Sequence, residues 1–248
     1  MRRIAAIYDL HGNLPALESV LAEIRQFDVD LVVIGGDVLP GPMPRETLEA
    51  LCHFDVPTKF ILGNGEAAVL EQRAGKNPAK VPEPFWPVIR WNAAQLDSEQ
   101  ERAVAGWPKT IRVDVSGLGR VLFCHATPRN EDDIFTRLTP EERLLPIFEA
   151  LDVQLVVCGH THMQFDRIVG RVRVVNAGSA GMPFGAPGAD WLLLGPEVQL
   201  RHTNYDLGSA AARIRATQYP QAEDFAANNI LRPPPAEQML ETFTRAGL

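Results

Sequence analysis

Five short apolar runs in this chain end in residues of one chemical kind, and this recurrence restricts the fold more than any other feature. Residues 3–8 lead into Asp9-Leu10-His11, residues 30–34 into Gly36 and Asp37, and residues 58–62 into Gly63 and Asn64. Residues 121–124 lead into His125, and residues 155–157 into Cys158-Gly159-His160-Thr161-His162. Short runs of this composition, rich in β-branched residues, read as buried strands. Between the first three, residues 14–27 and 44–54 carry helical patterns, with Leu14, Leu17, Val20, Leu21 and Ile24 on one face of the first. Strand, helix, strand, helix, strand predicts parallel βαβ units with right-handed crossovers. Parallel sheets gather functional groups at the carboxyl ends of their strands, so side chains scattered in the sequence should converge. His160 and His162, two apart in an extended segment, should leave their strand end in the same direction.

Residues 66–107 interrupt the alternation. A helix is expected at 66–74, a proline-rich stretch at 76–87 and one or two helices over 88–106, together an insertion beside the core. Its aromatics Phe85, Trp86, Trp91 and Trp107 read as packing residues, with a pocket floor as the alternative. The second half is richer in strands: a hairpin from 111–115 and 121–124 around Gly117 and Gly119, then, after a helix near 140–151, strands at 155–157, 171–175, 191–194 and 198–202. These suggest a second, mixed or antiparallel sheet facing the first. Residues 208–248 read as a helical tail broken at Pro233-Pro234-Pro235, with a final amphipathic helix at 237–245. The expected organisation is one domain over residues 1–248, with the helical insertion at about 66–107 and the tail at about 208–248.

Each candidate ligand has an ordinary reading beside the functional one. Asp9 could cap the following helix, Asp37 could shape a glycine turn, Asn64 could occupy a left-handed turn, and His11 and His125 could be satisfied core histidines. Five such coincidences together are the weaker account. Four imidazoles, two carboxylates and one amide oxygen exceed the needs of a single four- or five-coordinate ion and suit two ions sharing a carboxylate. With no thiolate in the set, manganese, iron, zinc, cobalt and nickel all fit. Two divalent ions set against Asp9, Asp37 and a hydroxide leave a net positive site, which attracts phosphate.

Asp9-Leu10-His11-Gly12-Asn13, Gly36-Asp37, Gly63-Asn64-Gly65-Glu66, His125 and Gly159-His160-Thr161-His162 resemble, in order and spacing, the motifs of the calcineurin-like metallophosphoesterases. The chain is similar to their compact bacterial and archaeal phosphodiesterase-type branch, whose Gly-Ser-x-Gly-x-Pro loop is matched by Gly178-Ser179-Ala180-Gly181-Met182-Pro183. The resemblance implies an α/β fold: a four-layer αββα sandwich of two mixed sheets flanked by helices. It implies one metal on Asp9, His11, Asp37 and His162 and a second on Asp37, Asn64, His125 and His160. Asp37 would be the bridge, and His160 and His162 would each serve a different ion. It further implies a phosphoesterase that hydrolyses phosphodiester and/or phosphomonoester bonds by in-line attack of a metal-bound hydroxide, a phosphodiesterase being expected ahead of a phosphomonoesterase. The expected cofactors are two divalent ions, Mn²⁺ favoured over Fe²⁺/Fe³⁺, Zn²⁺, Co²⁺ and Ni²⁺. Asp37, Asn64 and His125 are the expected catalytic residues. Asn64, Asn13 and Arg129 are expected at the substrate, Arg129 because a guanidinium matches phosphate geometry, with a surface arginine as its alternative.

One departure matters for mechanism. The family block is commonly Gly-Asn-His followed by an acid, with the histidine placed to protonate the leaving oxygen; here that position is Gly65. Losing such an acid removes about 10²–10⁴-fold in rate, so esters with good leaving groups are the expected substrates. Gly65 also keeps a second reading open, a metal-binding scaffold or regulatory module with little turnover.

Charge and composition narrow the partners. A net charge of −7 with no basic stripe disfavours nucleic acid. The first strand leads into Asp-Leu-His-Gly-Asn, not a glycine-rich dinucleotide turn, which disfavours a Rossmann oxidoreductase. The expected partner is a small phosphorylated substrate, with a homodimer left open. No apolar run approaches a membrane span, and the stretch before Asp9 is too short for a secretory signal. Three cysteines, Cys52, Cys124 and Cys158, in apolar surroundings suit a reduced cytoplasm.

Overall fold

The structure is a computed structural model that describes residues 3–248. Its element order follows the alternation of the sequence: β1 (Ile4–Ile7), α1 (Leu14–Ile24), β2 (Leu31–Ile34), α2 (Pro44–Cys52) and β3 (Thr58–Phe60). The insertion contributes α3 (Asn64–Arg73), α4 (Trp86–Gln95) and α5 (Ser98–Ala105). The second half continues with β4 (Thr110–Val115), β5 (Gly119–Cys124), α6 (Glu141–Phe148), β6 (Leu155–Cys158), β7 (Phe165–Val169), β8 (Val172–Asn176), β9 (Ala189–Leu194) and β10 (Val198–Thr203). The tail holds α7 (Leu207–Arg215), α8 (Ala222–Phe225), which runs into a π-helical stretch at Ala226–Leu231, and α9 (Ala236–Ala246).

Two five-stranded mixed sheets result, in the orders β10-β9-β1-β2-β3 and β4-β5-β6-β8-β7. The period-two alternation of a strand divides each between two cores. Ile4, Ala6, Leu31, Val33, Leu192 and Leu194 of the first sheet meet Val121, Phe123, Leu155, Val157 and Val175 of the second. Their alternates Ala5, Ile7, Val32 and Ile34 pack instead beneath Leu17, Val20 and Leu48 of α1 and α2. On the far side of the second sheet, Leu122, Val156 and Val174 meet Leu144, Ile147 and Phe148 of α6. The layers are therefore helix, sheet, sheet, helix, the four-layer αββα sandwich expected for this chain.

Two strand assignments are corrected. Residues 191–194 and 198–202, expected in the second sheet, form β9 and β10 of the first, where β9 runs antiparallel to β1 through Ile4↔Leu194 and Ala6↔Leu192. Every residue of β1 is fully buried, and with β2 alone beside it this strand would leave an apolar edge unpaired. The second sheet gains β7 instead, an edge strand antiparallel to β8. Asp166 and Arg167 break its apolar pattern, and Asp166 forms an ion pair with Arg173 of β8.

The insertion and the tail pack on each other. Val88 of α4 joins Ala211, Ile214, Phe225 and Ile230 in a separate apolar cluster, and Trp91 meets the Tyr219 ring edge-on at 5.5 Å between centroids. No helix among the described residues is long and apolar enough to cross a membrane.

Candidate metal centre

The predicted ligands converge at the carboxyl ends of β1, β2, β3, β5 and β6. Backbone hydrogen bonds zip the first two strand ends together: Asp9 N–H donates to Gly36 O (3.1 Å) and His11 N–H to Asp37 O (2.9 Å). The loop after β8 closes over them, with Ser179 Oγ donating to Asp9 O at 2.7 Å and the Gly181 N–H to the same oxygen at 3.0 Å.

Asp9, His11, Asp37, His160 and His162 have φ values of 54°, 46°, 52°, 69° and 56°, and among the described residues they are the non-glycine positions in the left-handed region. This overturns the extended geometry expected for His160 and His162. Each strand stops in a sharp reversal, and the two imidazoles diverge. The His160 ring lies against His125, 5.1 Å between centroids, and the His162 ring against His11 at 5.0 Å. Left-handed backbone at a non-glycine residue costs about 1–3 kcal/mol and persists only where surrounding structure imposes it.

Three imidazoles are oriented by backbone carbonyls. Nδ1 lies 3.2 Å from Pro40 O in His11, 2.9 Å from Gly35 O in His125 and 2.9 Å from Met182 O in His162. Donation through Nδ1 turns Nε2 of each neutral ring toward the site as a lone pair. His162 Nε2 lies 3.5 Å from Asp9 Oδ1. Against the cost of its burial the Asp9 carboxylate raises the His162 pKa, so a cation bound here would take the place of a proton. Those lone pairs face other acceptors. His11 Nε2 and His162 Nε2 are 3.2 Å apart, and His125 Nε2 is 2.9 Å from Asn64 Oδ1. In the neutral forms of these rings the facing atoms are acceptors, which a cation between them would satisfy.

The carboxylates give the same result. Asp9 and Asp37 are buried, and Asp9 Oδ1 has no hydrogen-bond partner. Two groups of donor atoms are close enough to share an ion: Asp9, His11 and His162, and Asp9, Asp37 and His125. Asp9 is common to both. Asp37 also spans them, its Oδ2 3.8 Å from His11 Nε2 and its Oδ1 3.5 Å from His125 Nε2. Burial, followed by the Asp9 charge, holds the Asp37 carboxyl well above the usual carboxylate range. Burial and then the neighbouring imidazoles push His11 and His160 down to about 3, so both are neutral and able to ligate. The residues present therefore fit hard or borderline divalent cations.

Two residues near the centre carry more than their sequence suggested. Glu66, expected only to begin a helix, is fully buried and accepts N–H groups from Asp37 (2.9 Å), Leu39 (2.9 Å) and Gly63 (2.8 Å). Both oxygens are used as acceptors, which fits a carboxylate, although burial and then the Asp37 charge push its pKa up to about 7. Its spacing after Gly63, that of a capping box, was the signal available in the sequence. Gly65 donates its N–H to Asp37 Oδ1 at 2.7 Å, and a Cβ there would lie 2.0 Å from Leu39 O. No side chain fits at this position without moving the loop.

The expected substrate residues separate. Asn64 lines a cavity of about 460 Å³ that opens on His11, Asp37, His160 and His162. Asn13 does not reach it: fully buried, it accepts the Ala16 N–H as the cap of α1 and donates to Gly181 O. Arg129 is half-exposed and held by Asp133 at 2.8 Å, outside the cavity lining.

Comparison with known proteins agrees with this geometry. Residues 2–195 match the family model described as the calcineurin-like phosphoesterase superfamily domain. An uncharacterised protein of Methanocaldococcus jannaschii is 25% identical over 239 residues, covering 88% of this chain and 94% of that protein. Among solved structures, a metallophosphoesterase from Sphaerobacter thermophilus superposes with a TM-score of 0.71 at 24% identity, covering 92% of this chain and 99% of that one. A hypothetical protein from Pyrococcus horikoshii OT3 superposes with a TM-score of 0.78 at 18% identity, covering 91% and 98%. With the family model spanning most of the sequence and the two mixed sheets carrying a shared cluster of metal-binding side chains, the chain belongs to the calcineurin-like phosphoesterase superfamily.

Proposed function

We propose that this chain is a dinuclear-metal phosphoesterase, with Mn²⁺ the favoured ion, that takes phosphodiesters more readily than phosphomonoesters. The observation that carries the reading is the set of acceptors facing one another: His11 against His162, His125 against Asn64, and an unpartnered Asp9 oxygen in a buried site. Asp9, His11, Asp37 and His162 would hold one ion, and Asp37, Asn64, His125 and His160 the other. When bound, the ions supply Lewis-acid stabilisation of phosphoryl charge and activation of the attacking water.

The chain's own groups define the rest. Pro40, Gly35 and Met182 carbonyls orient His11, His125 and His162 through Nδ1, so the neutral form of each turns its Nε2 lone pair toward the site. Glu66 fixes the backbone at Asp37 and Gly63, and the Gly65 N–H fixes one Asp37 oxygen. Position 65 offers no imidazole to protonate a leaving oxygen, and burial disfavours the cationic form of His160. Esters of acidic alcohols are therefore the favoured substrates. The cavity has no lysine or arginine among its described lining residues, which favours the single charge of a phosphodiester over a dianionic monoester. The scaffold alternative rests on the acid missing at Gly65, and the complete set of seven ligands, Asp9, His11, Asp37, Asn64, His125, His160 and His162, argues against it. A reducing compartment such as the cytoplasm completes the reading, supported by three unpaired thiols.

The test is hydrolysis of bis-p-nitrophenyl phosphate by the Mn²⁺-loaded protein, compared with Asp37→Asn and His125→Ala. Turnover should need the metal and disappear in both variants. Absence of turnover with each of Mn²⁺, Fe²⁺, Zn²⁺, Co²⁺ and Ni²⁺ would reject the assignment.

A further inference from the structure

The cavity above the metal centre has a floor and walls of opposite character. The floor is the ligand set. The walls come from the two segments outside the βαβ core, the insertion and the tail: Phe85 and Ile89 from the former, Tyr219, Phe225 and Phe243 from the latter. Phe85 stands at 48% exposure, among the most exposed large apolar side chains of the described residues, and belongs to none of the four apolar clusters. Phe243 reaches the centre through Phe184, whose ring stacks on His162 at 5.3 Å and meets Phe243 at a tilt, 5.9 Å between centroids. Helix α9 is thereby tied to a ligand of the site.

Charge completes the description. No lysine or arginine is among the described lining residues, and the one charged group on the tail side is Asp224. Of the cations next to lining residues in sequence, Lys80 pairs with Asp132 and Arg90 lies over the Trp86 ring at 5.7 Å. The neutral polar groups are the Gln221 and Asn229 amides and the Tyr219 hydroxyl. A second phosphate or a carboxylate on the substrate would leave water for an apolar wall with no cation to receive it, and Asp224 would repel it. Apolar surface would instead be buried against Phe85, Phe225 and Phe243. A volume of about 460 Å³ lies within the usual range for small-ligand sites.

We infer that this cavity is the binding site for an uncharged aryl or bulky apolar group esterified to a single phosphoryl group. The inference rests on the phosphoesterase reading for the position of that phosphoryl group, and it assigns the insertion and the tail a role in substrate selection.

Calorimetry on the Mn²⁺-loaded full chain with three non-hydrolysable probes tests it: methylphosphonate, phenylphosphonate and 4-carboxyphenylphosphonate. Burying the ring should make phenylphosphonate bind roughly 10–100-fold more tightly than methylphosphonate. The added carboxylate should give back most of that gain. Phe85→Ala and Phe243→Ala should each reduce the phenyl-to-methyl affinity ratio, and because Phe85 is half-exposed its truncation does not endanger folding. Equal affinity for phenyl- and methylphosphonate, with bis-p-nitrophenyl phosphate still hydrolysed, overturns the cavity assignment and leaves the phosphoesterase reading standing. Equal affinity for phenyl- and carboxyphenylphosphonate overturns the requirement for an uncharged group. Loss of both hydrolysis and phosphonate binding overturns the phosphoesterase reading, and the inference with it.

Discussion

At Gly65 the backbone passes so close beneath the Leu39 carbonyl that a Cβ would sit 2.0 Å from the oxygen, while its own N–H holds Asp37 Oδ1 at 2.7 Å. The absent imidazole is therefore a property of the local packing, and restoring it should not restore an acid. Gly65→Ala is expected to cost about 1–3 kcal/mol by overpacking, read by urea unfolding. Gly65→His should be at least as unstable, with no gain on alkyl esters; a stable Gly65→His with faster alkyl-ester hydrolysis would refute this. Glu66 beside it is a positioning residue of the opposite kind, indispensable for its side chain. Replacing it by alanine leaves three buried N–H groups without their acceptor, each costing about 1–3 kcal/mol. Glu66→Gln keeps an acceptor oxygen but loses the charge, and should weaken Mn²⁺ binding by roughly 10–100-fold, the usual effect of removing an outer-shell partner. Unchanged unfolding of Glu66→Ala together with unchanged Mn²⁺ affinity of Glu66→Gln would deny the residue this role.

At the scale of elements, the ligands were readable because each follows a strand whose apolar pattern is local, and parallel topology brings those strand ends together. The reversals themselves were not readable. Left-handed φ at His160 and His162 is imposed by contacts from elsewhere, such as the His160 N–H to Asp9 Oδ2 bond at 2.9 Å, between residues far apart in sequence. The same holds for β9, placed by the exposed edge of β1 instead of by its own pattern, for Tyr219, which reaches the cavity through packing of the tail on Trp91 of the insertion, and for Phe243, which reaches it beside Phe184. The reversals separate the two rings, His160 toward His125 and His162 toward His11, and a consequence follows for metal binding. His160→Ala and His162→Ala should each weaken a different step of a two-step Mn²⁺ titration. Equal loss of both ions from either variant would argue against separate sites.

Across the whole molecule, stability and function oppose each other at the buried carboxylates. Asp9 and Asp37 are buried at the floor of the cavity, where the imidazoles of His125 and His162 stand by Asp9 and the Asp9 charge bears on Asp37. Asp37 answers by holding its proton: burial and the Asp9 charge raise its pKa well above the ordinary value. A carboxyl whose folded pKa is raised gives its full stabilisation below the unfolded pKa of about 4 and loses it as pH rises through the folded value. In the metal-free protein the Asp37 contribution should therefore fall from mildly acidic to mildly alkaline pH, against the opposite trend of His11 and His160, whose lowered pKa values add stability as pH rises through the free-imidazole range. Asp37→Asn removes that titration while keeping an oxygen for the Gly65 N–H, so its advantage over the parent should grow with pH, reaching about 0.5–2 kcal/mol. Adding Mn²⁺ reverses the order. An ion at about 100 times its Kd contributes about 2.7 kcal/mol to the parent, and the variant, without that carboxylate, should gain far less. Urea unfolding of both proteins at mildly acidic and mildly alkaline pH, each with chelator and with Mn²⁺, measures all of these differences. An Asp37→Asn protein less stable than its parent in chelator at alkaline pH, or equally stabilised by Mn²⁺, would show that the carboxylate pair is not kept for the metal.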